Sequence, residues 1–163
     1  MISVDTILKN AMILTMDEEY KIFQSGAIAI LGDNIEAIDD SIFIEKNFHA
    51  KEVIDCGGKI LMPGLINAHT HVPMTLLRGL SDDLRLDVWL LGYMMPVERE
   101  YVTPEFVRLG TKIACTEMIQ AGITCFADMY YFEDDVAEAT AEIGMRAVCG
   151  ESILKFPTPD AHS

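Results

Sequence analysis

Residues 64–74 read Gly64-Leu65-Ile66-Asn67-Ala68-His69-Thr70-His71-Val72-Pro73-Met74, an apolar run that ends in two histidines one residue apart. In a strand, residues two apart point to the same side, so the two imidazoles project together. They stand at the C-terminal end of what reads as the first strand of a parallel sheet, the end where such sheets build their sites. Two neutral imidazoles converging there suit a divalent cation, with Pro73 stopping the strand just beyond. Taken as an isolated tripeptide, His-x-His reads more often as two solvated loop histidines or a structural hydrogen bond.

The chain on either side of this stretch differs in pattern. Before it, Thr6–Met16 is apolar with short polar interruptions, and Ala27–Leu31 and Ile35–Asp39 flank Gly32-Asp33-Asn34 as a hairpin. Ser41 to Ala50 is polar enough for a short helix, Val53–Cys56 gives another strand, and Gly57-Gly58 punctuates. Residues 1–58 are expected to form a small antiparallel β unit, and residues 59–163 a second unit.

Beyond the histidines, strands and helices alternate. Leu65–Ala68 is a strand and Asp87–Glu100 largely helical. Thr103-Pro104 then supplies an N-cap and a first-turn proline. Phe106, Leu109, Ile113, Met118 and Ile119 recur at helical spacing up to Gly122, which ends the helix as a C′ residue. Ile123–Met129 is the next strand, Glu133–Ile143 a helix closed by Gly144, and Met145–Gly150 a third strand. This order predicts a parallel sheet covered by helices, either an open sheet or the first part of a (β/α)8 barrel. A whole barrel takes about 250 residues. Gly64 to Ser163 spans 100, so the chain is expected not to close one.

The 163 residues carry 26 acidic and 12 basic side chains, a formal charge of −14. That balance repels phosphate backbones and anionic lipid, so neither nucleic acid nor a membrane is an expected partner. Residues 1–5 lack the basic start and apolar core of a secretory signal. Cys56, Cys115, Cys125 and Cys149 form no C-x-x-C pair and read as reduced, buried small hydrophobes of a cytoplasmic protein.

The segment KILMPGLINAHTHVPMTLLRG (Lys59 to Gly79) resembles the amidohydrolase superfamily, in which PG-x-x-[ND]-x-H-x-H ends the first barrel strand and supplies two metal ligands. SDDLRLDVWL (Ser81 to Leu90), PVERE (Pro96 to Glu100), AGITCFADMY (Ala121 to Tyr130) and GMRAV (Gly144 to Val148) extend the resemblance. In that combination the chain is most similar to the 5-methylthioadenosine/S-adenosylhomocysteine deaminases and related adenosine-type enzymes. Chlorotriazine hydrolases and guanine deaminases share much of the same stretch.

The resemblance implies an α/β fold: the first three β/α units of a TIM barrel, preceded by part of a small β-sandwich. It implies one divalent metal, zinc or else iron, held in part by His69 and His71, which makes hydroxide available for attack on C6 of an adenine nucleoside. Methylthioadenosine, S-adenosylhomocysteine, 5′-deoxyadenosine and adenosine are the candidate substrates. Glu98 maps to a glutamate that accepts from ribose hydroxyls; from its neighbours alone it is equally a solvated helix-end charge beside Arg99 and Glu100. Trp89 either walls the purine pocket or belongs to core with Leu86 and Leu90. Arg78 is expected in a structural salt bridge, and Asp128 in an N-cap or a supporting role at the end of the second strand.

Glu151 stands where some members carry an arginine that receives the substrate's amino-acid carboxylate. That departure shifts the expectation from S-adenosylhomocysteine toward the smaller nucleosides. The family completes its site with two further histidines, an aspartate and a proton-transferring glutamate. His162 comes too early in the chain for these roles and His49 lies in the small β unit. No catalytic residue is therefore assigned in this chain, and its 163 residues alone are expected to be an inactive N-terminal part of a longer enzyme. The competing reading is a non-catalytic module that binds a partner or self-associates through an open strand edge.

Overall fold

The computed structural model describes residues 1–161; His162 lies outside them. Two compact units divide after Pro63.

The first unit is one five-stranded sheet. Strands β1 (Ile2–Leu14), β2 (Ile22–Leu31) and β3 (Asn34–Asp40) form an antiparallel meander, with positive φ at Gly32 in the tight β2–β3 turn. Helix α1 (Ser41–Asn47) then returns the chain to β4 (Phe48–Asp55), which pairs with β1 in parallel, as does the short β5 (Ile60–Leu61). The expectation of an all-antiparallel unit is thus corrected. Helix α1 carries the chain back so that β4 runs in the same direction as β3 and β1, and parallel pairing requires a crossover of this kind where a hairpin would reverse the strand. Ile44 of α1 is fully buried in a cluster with Val4, Ile7, Ala27, Ala29 and Phe48. The β unit continues past residue 58, because Met12 N donates to Lys59 O and β5 follows directly.

The second unit is mixed α/β. Strands β6 (Leu65–Thr70), β7 (Ile123–Tyr130) and β8 (Arg146–Glu151) form a parallel sheet in that order. After β6 the chain enters a 3₁₀ segment, Val72–Leu77, with Pro73 in its first turn. A continuous helical stretch follows: α2 (Leu86–Val88), a π-helical turn (Trp89–Met94) and α3 (Met95–Tyr101). Helix α4 (Pro104–Gln120) starts where Thr103 Oγ1 accepts from Phe106 N at 3.2 Å, and Gly122 follows it at φ +78°. Helix α5 (Glu133–Ile143) ends at Gly144 at φ +84°, a conformation that glycine adopts at little steric cost.

The helices cover one face of this sheet. Phe126 and Tyr130 of β7 pack with Val107, Cys115 and Met118 of α4 and Val136 of α5. The other face is open, and Met129 and Val148 on it are exposed. Cys115 is buried and the other three cysteines are half-buried, all as free thiols. Arg78 forms a bidentate pair with Glu117, at 2.8 and 3.1 Å; exposed pairs of this kind contribute little. No helix among the described residues is long and apolar enough to cross a membrane.

Gly110 fixes how closely α4 approaches the segment after the histidines. A Cβ there would stand 2.6 Å from Pro73 O and 2.8 Å from Pro73 Cα. Alanine normally stabilises a helix interior over glycine by about 1 kcal/mol. Here the clash is with backbone, which cannot rotate away, and overpacking of that kind costs ~1–3 kcal/mol. Gly110→Ala is therefore expected to lower the urea midpoint; an unchanged or raised midpoint would contradict the close approach.

Candidate functional site

His69 is the penultimate residue of β6, and His71 sits between β6 and the 3₁₀ segment at φ −134° and ψ 72°. Their ring centroids are 4.9 Å apart and nearly perpendicular. His71 Nδ1 lies 2.5 Å from Met129 O. A carbonyl oxygen can only accept, so Nδ1 carries the proton and Nε2 keeps its lone pair free. A hydrogen bond from the far ring nitrogen to a carbonyl orients metal-ligating histidines. The two imidazoles therefore fit as two ligands of one cation. Among the described residues, no group of three or more His, Cys, Asp or Glu side chains could hold one.

Beside His71 opens a cleft of about 280 Å³, just below the usual range for small-molecule sites. His71, Trp89, Glu98, Tyr130, Leu154 and Phe156 all contribute to its lining. Trp89 and Glu98 thus share one cavity with His71. Trp89 is half-buried at the start of the π-helical turn, and such turns recur at functional sites. Glu98 is only 6% exposed, so it is no solvated helix-end charge.

Tyr130 Oη donates to Glu98 Oε1 at 2.9 Å. Burial raises the Glu98 pKa above the ordinary carboxylate value, opposed by the Tyr130 hydrogen bond and the nearby His71. Burial likewise raises the phenols: strongly for Tyr130, and up to about 12 for Tyr131. Both tyrosines were missed in the sequence, where an apolar strand end looks like ordinary core. Their signal was position, since β7 ends beside β6.

Behind the sheet lies a second set of polar groups. Asp128 is 5% exposed, and its Oδ1 accepts from Val72 N at 2.8 Å and from Thr70 Oγ1. Glu133, also 5% exposed, opens α5 beneath it. Neither Glu133 oxygen receives an N–H or hydroxyl hydrogen bond among the described residues, and neither does Asp128 Oδ2. The N-cap of α5, Phe132, offers no side-chain acceptor; Glu151 supplies it from β8, with Oε2 accepting from Glu133 N at 3.0 Å. Glu151 Oε1 accepts from Ser152 N at 3.2 Å, so both oxygens are engaged with backbone.

Residues 60–162 match the profile of the amidohydrolase family. The chain belongs to the amidohydrolase family. A 5-methylthioadenosine/S-adenosylhomocysteine deaminase of Syntrophobacter fumaroxidans is 48% identical over 155 residues, covering 95% of this chain and 35% of that protein. An adenosine deaminase from Xanthomonas campestris with bound zinc superposes with a TM-score of 0.95 at 37% identity, over 99% of this chain and 37% of that one. The guanine deaminase of E. coli, with a TM-score of 0.77 at 20% identity over 95% of this chain and 39% of its own, shows the shared fold alone. This family member therefore spans about 35% of the length of the curated deaminase it matches.

Burial, and next the charge of Asp128, push the Glu133 carboxyl from the usual 4.5 up to about 8. The folded state then holds that proton more tightly than the unfolded chain does. The resulting stabilisation is complete below about pH 4.5 and is lost as pH rises to about 8. Asp128, Cys149 and Glu151 are the titratable neighbours. Glu133→Gln cannot titrate, so its stability relative to the unsubstituted protein should rise across that window in urea melts. Parallel stability curves from pH 4.5 to 8 would contradict a buried, protonated Glu133.

Proposed function

We propose that this chain supplies the N-terminal third of a metal-dependent hydrolase that deaminates an adenine nucleoside to its inosine analogue and ammonia. The observation that carries the reading is convergence. His71 from the end of β6, Trp89 from the π-helical turn and Glu98 from α3 line one cleft, although 27 residues separate the first from the last. The identity to methylthioadenosine/S-adenosylhomocysteine deaminases supports it. Three parallel strands with intervening helices are read as the first three units of a (β/α)8 barrel, and the mixed sheet of the first unit as part of a small β-sandwich.

His69 and His71 would hold the metal through imidazole nitrogens, a donor type that suits zinc, with its remaining ligands supplied from outside these residues. A divalent cation bound there supplies an activated water near neutral pH. The chain's own groups bind and orient the nucleoside. Glu98 accepts from the two vicinal ribose hydroxyls, and the Tyr130 hydroxyl fixes which way its carboxylate faces. Trp89, Leu154 and Phe156 supply apolar walls for the purine and keep water from its face. No group here is assigned to carry the proton to the leaving amine.

Glu151 bears on the choice of substrate. Its oxygens are taken by backbone N–H groups, and a carboxylate repels another carboxylate. Methylthioadenosine, 5′-deoxyadenosine and adenosine therefore fit better than S-adenosylhomocysteine.

Glu98→Gln in the full-length protein tests the reading through ammonia release. Losing a charged acceptor for buried hydroxyls costs about 1.5–3 kcal/mol per bond. The expected outcome is at least a roughly tenfold drop in kcat/KM for methylthioadenosine, with bound zinc unchanged. Equal turnover of methylthioadenosine by the two proteins would remove Glu98 from the site.

A further inference from the structure

Three consecutive residues near the end of β7 grip Thr70, the last residue of β6, and the two residues that follow it. The Thr70 hydroxyl shares its one proton between Ala127 O at 3.0 Å and Asp128 Oδ1, Asp128 Oδ1 also accepts from Val72 N at 2.8 Å, and Met129 O accepts from His71 Nδ1 at 2.5 Å. Regular pairing of β6 with β7 lapses between Asn67 and Thr70. At His71 itself the backbone belongs neither to the strand nor to the 3₁₀ segment that follows. The direction of that imidazole therefore rests on these side-chain bonds, and the Asp128 carboxylate ties down the residues on both sides of it.

We infer that Asp128 is a positioning residue for His71, and that Glu133 steadies it from beneath as a hydrogen-bond donor. This rests on the reading of His69 and His71 as metal ligands. The donor role follows from the burial of the Asp128 and Glu133 oxygens together with the side-chain hydrogen bond between the two residues. Asp128 Oδ2 and both Glu133 oxygens are buried without an N–H or hydroxyl partner. Two facing carboxyl groups can satisfy one another only by sharing one proton. With the proton on Glu133, its O–H donates to Asp128, and Asp128 stays an acceptor for Val72 N–H and the Thr70 hydroxyl. The elevated Glu133 pKa agrees with that assignment. Asparagine at 128 keeps an acceptor oxygen for both donors and turns its amide toward Glu133, whereas alanine keeps neither.

The test is zinc affinity of the full-length protein, measured by competition with a chromophoric chelator, beside the His71 tautomer read from ¹⁵N shifts of the zinc-free protein. Asp128→Ala should weaken zinc roughly 10–100-fold, as loss of a group that orients a ligand does, and should lower the fraction of His71 protonated at Nδ1. Asp128→Asn should recover most of both. Thr70→Val removes one donor while keeping side-chain shape; it should weaken zinc in the same direction, and it decides the matter if Asp128→Ala does not fold. His71→Ala should lose zinc outright. Wild-type zinc affinity and tautomer in folded Asp128→Ala, or in Thr70→Val where the first variant fails to fold, would overturn the positioning role. So would an asparagine variant as impaired as the alanine one. Zinc retained by His71→Ala would instead overturn the ligand reading, and the proposal with it.

Discussion

The attachment of the end of β6 to the end of β7 is the constraint on which the candidate site depends. A parallel pair offers evenly spaced backbone bonds along the strands, yet here the register shifts between Asn67 and Thr70, across His69, and the last pair is Thr70 with Asp128, one residue short of His71. The histidines are not held by the sheet's regular pairing. Thr70, His71 and Val72 are instead held by a hydroxyl, an imidazole N–H and a backbone N–H aimed at two carbonyls and one carboxylate. Close packing of α4 through Gly110 against Pro73 then closes the segment from the other side. His71 becomes usable as a ligand because these surroundings leave its ring little freedom.

The second unit carries its charges where they cost stability. Glu98 sits in an apolar cleft and Glu133 under the sheet, each with its pKa raised by burial. Buried carboxyl groups without full partners destabilise a fold unless they are neutral or satisfied. Glu133 meets that demand by keeping its proton. Glu98 meets it with one phenol hydrogen bond, which leaves acceptor capacity open toward the cleft. Residues that spend stability in this way are drawn to functional sites.

Much of this was legible locally. The two-residue period placed His69 and His71 on one side of a strand, and Thr103-Pro104, Gly122 and Gly144 marked helix ends that α4 and α5 adopt. What was not legible lay in long-range pairing. The parallel seating of β4 depends on which edge of the meander α1 carries the chain to, and no local pattern encodes that choice. The π-helical turn at Trp89 has the apolar look of any amphipathic helix. Tyr130 and Asp128 alternate with neighbours in a strand that reads as core, and their meaning appears only once β6, 57–58 residues earlier, lies alongside. Glu133 resembled the ordinary acidic first turn of a helix, because nothing local showed that β8 would cap α5 through Glu151 and cover the carboxyl.

His69 and His71 are proposed to bind one cation together at the mouth of this cleft. A crystal structure of the full-length, zinc-loaded protein, with anomalous data collected on both sides of the zinc edge, addresses it most directly. A single zinc peak is expected within bonding distance, about 2.0–2.1 Å, of one nitrogen of each imidazole, with His71 bound through Nε2 and its Nδ1 still on Met129 O. A peak bound elsewhere, or to only one of the two histidines, would contradict it.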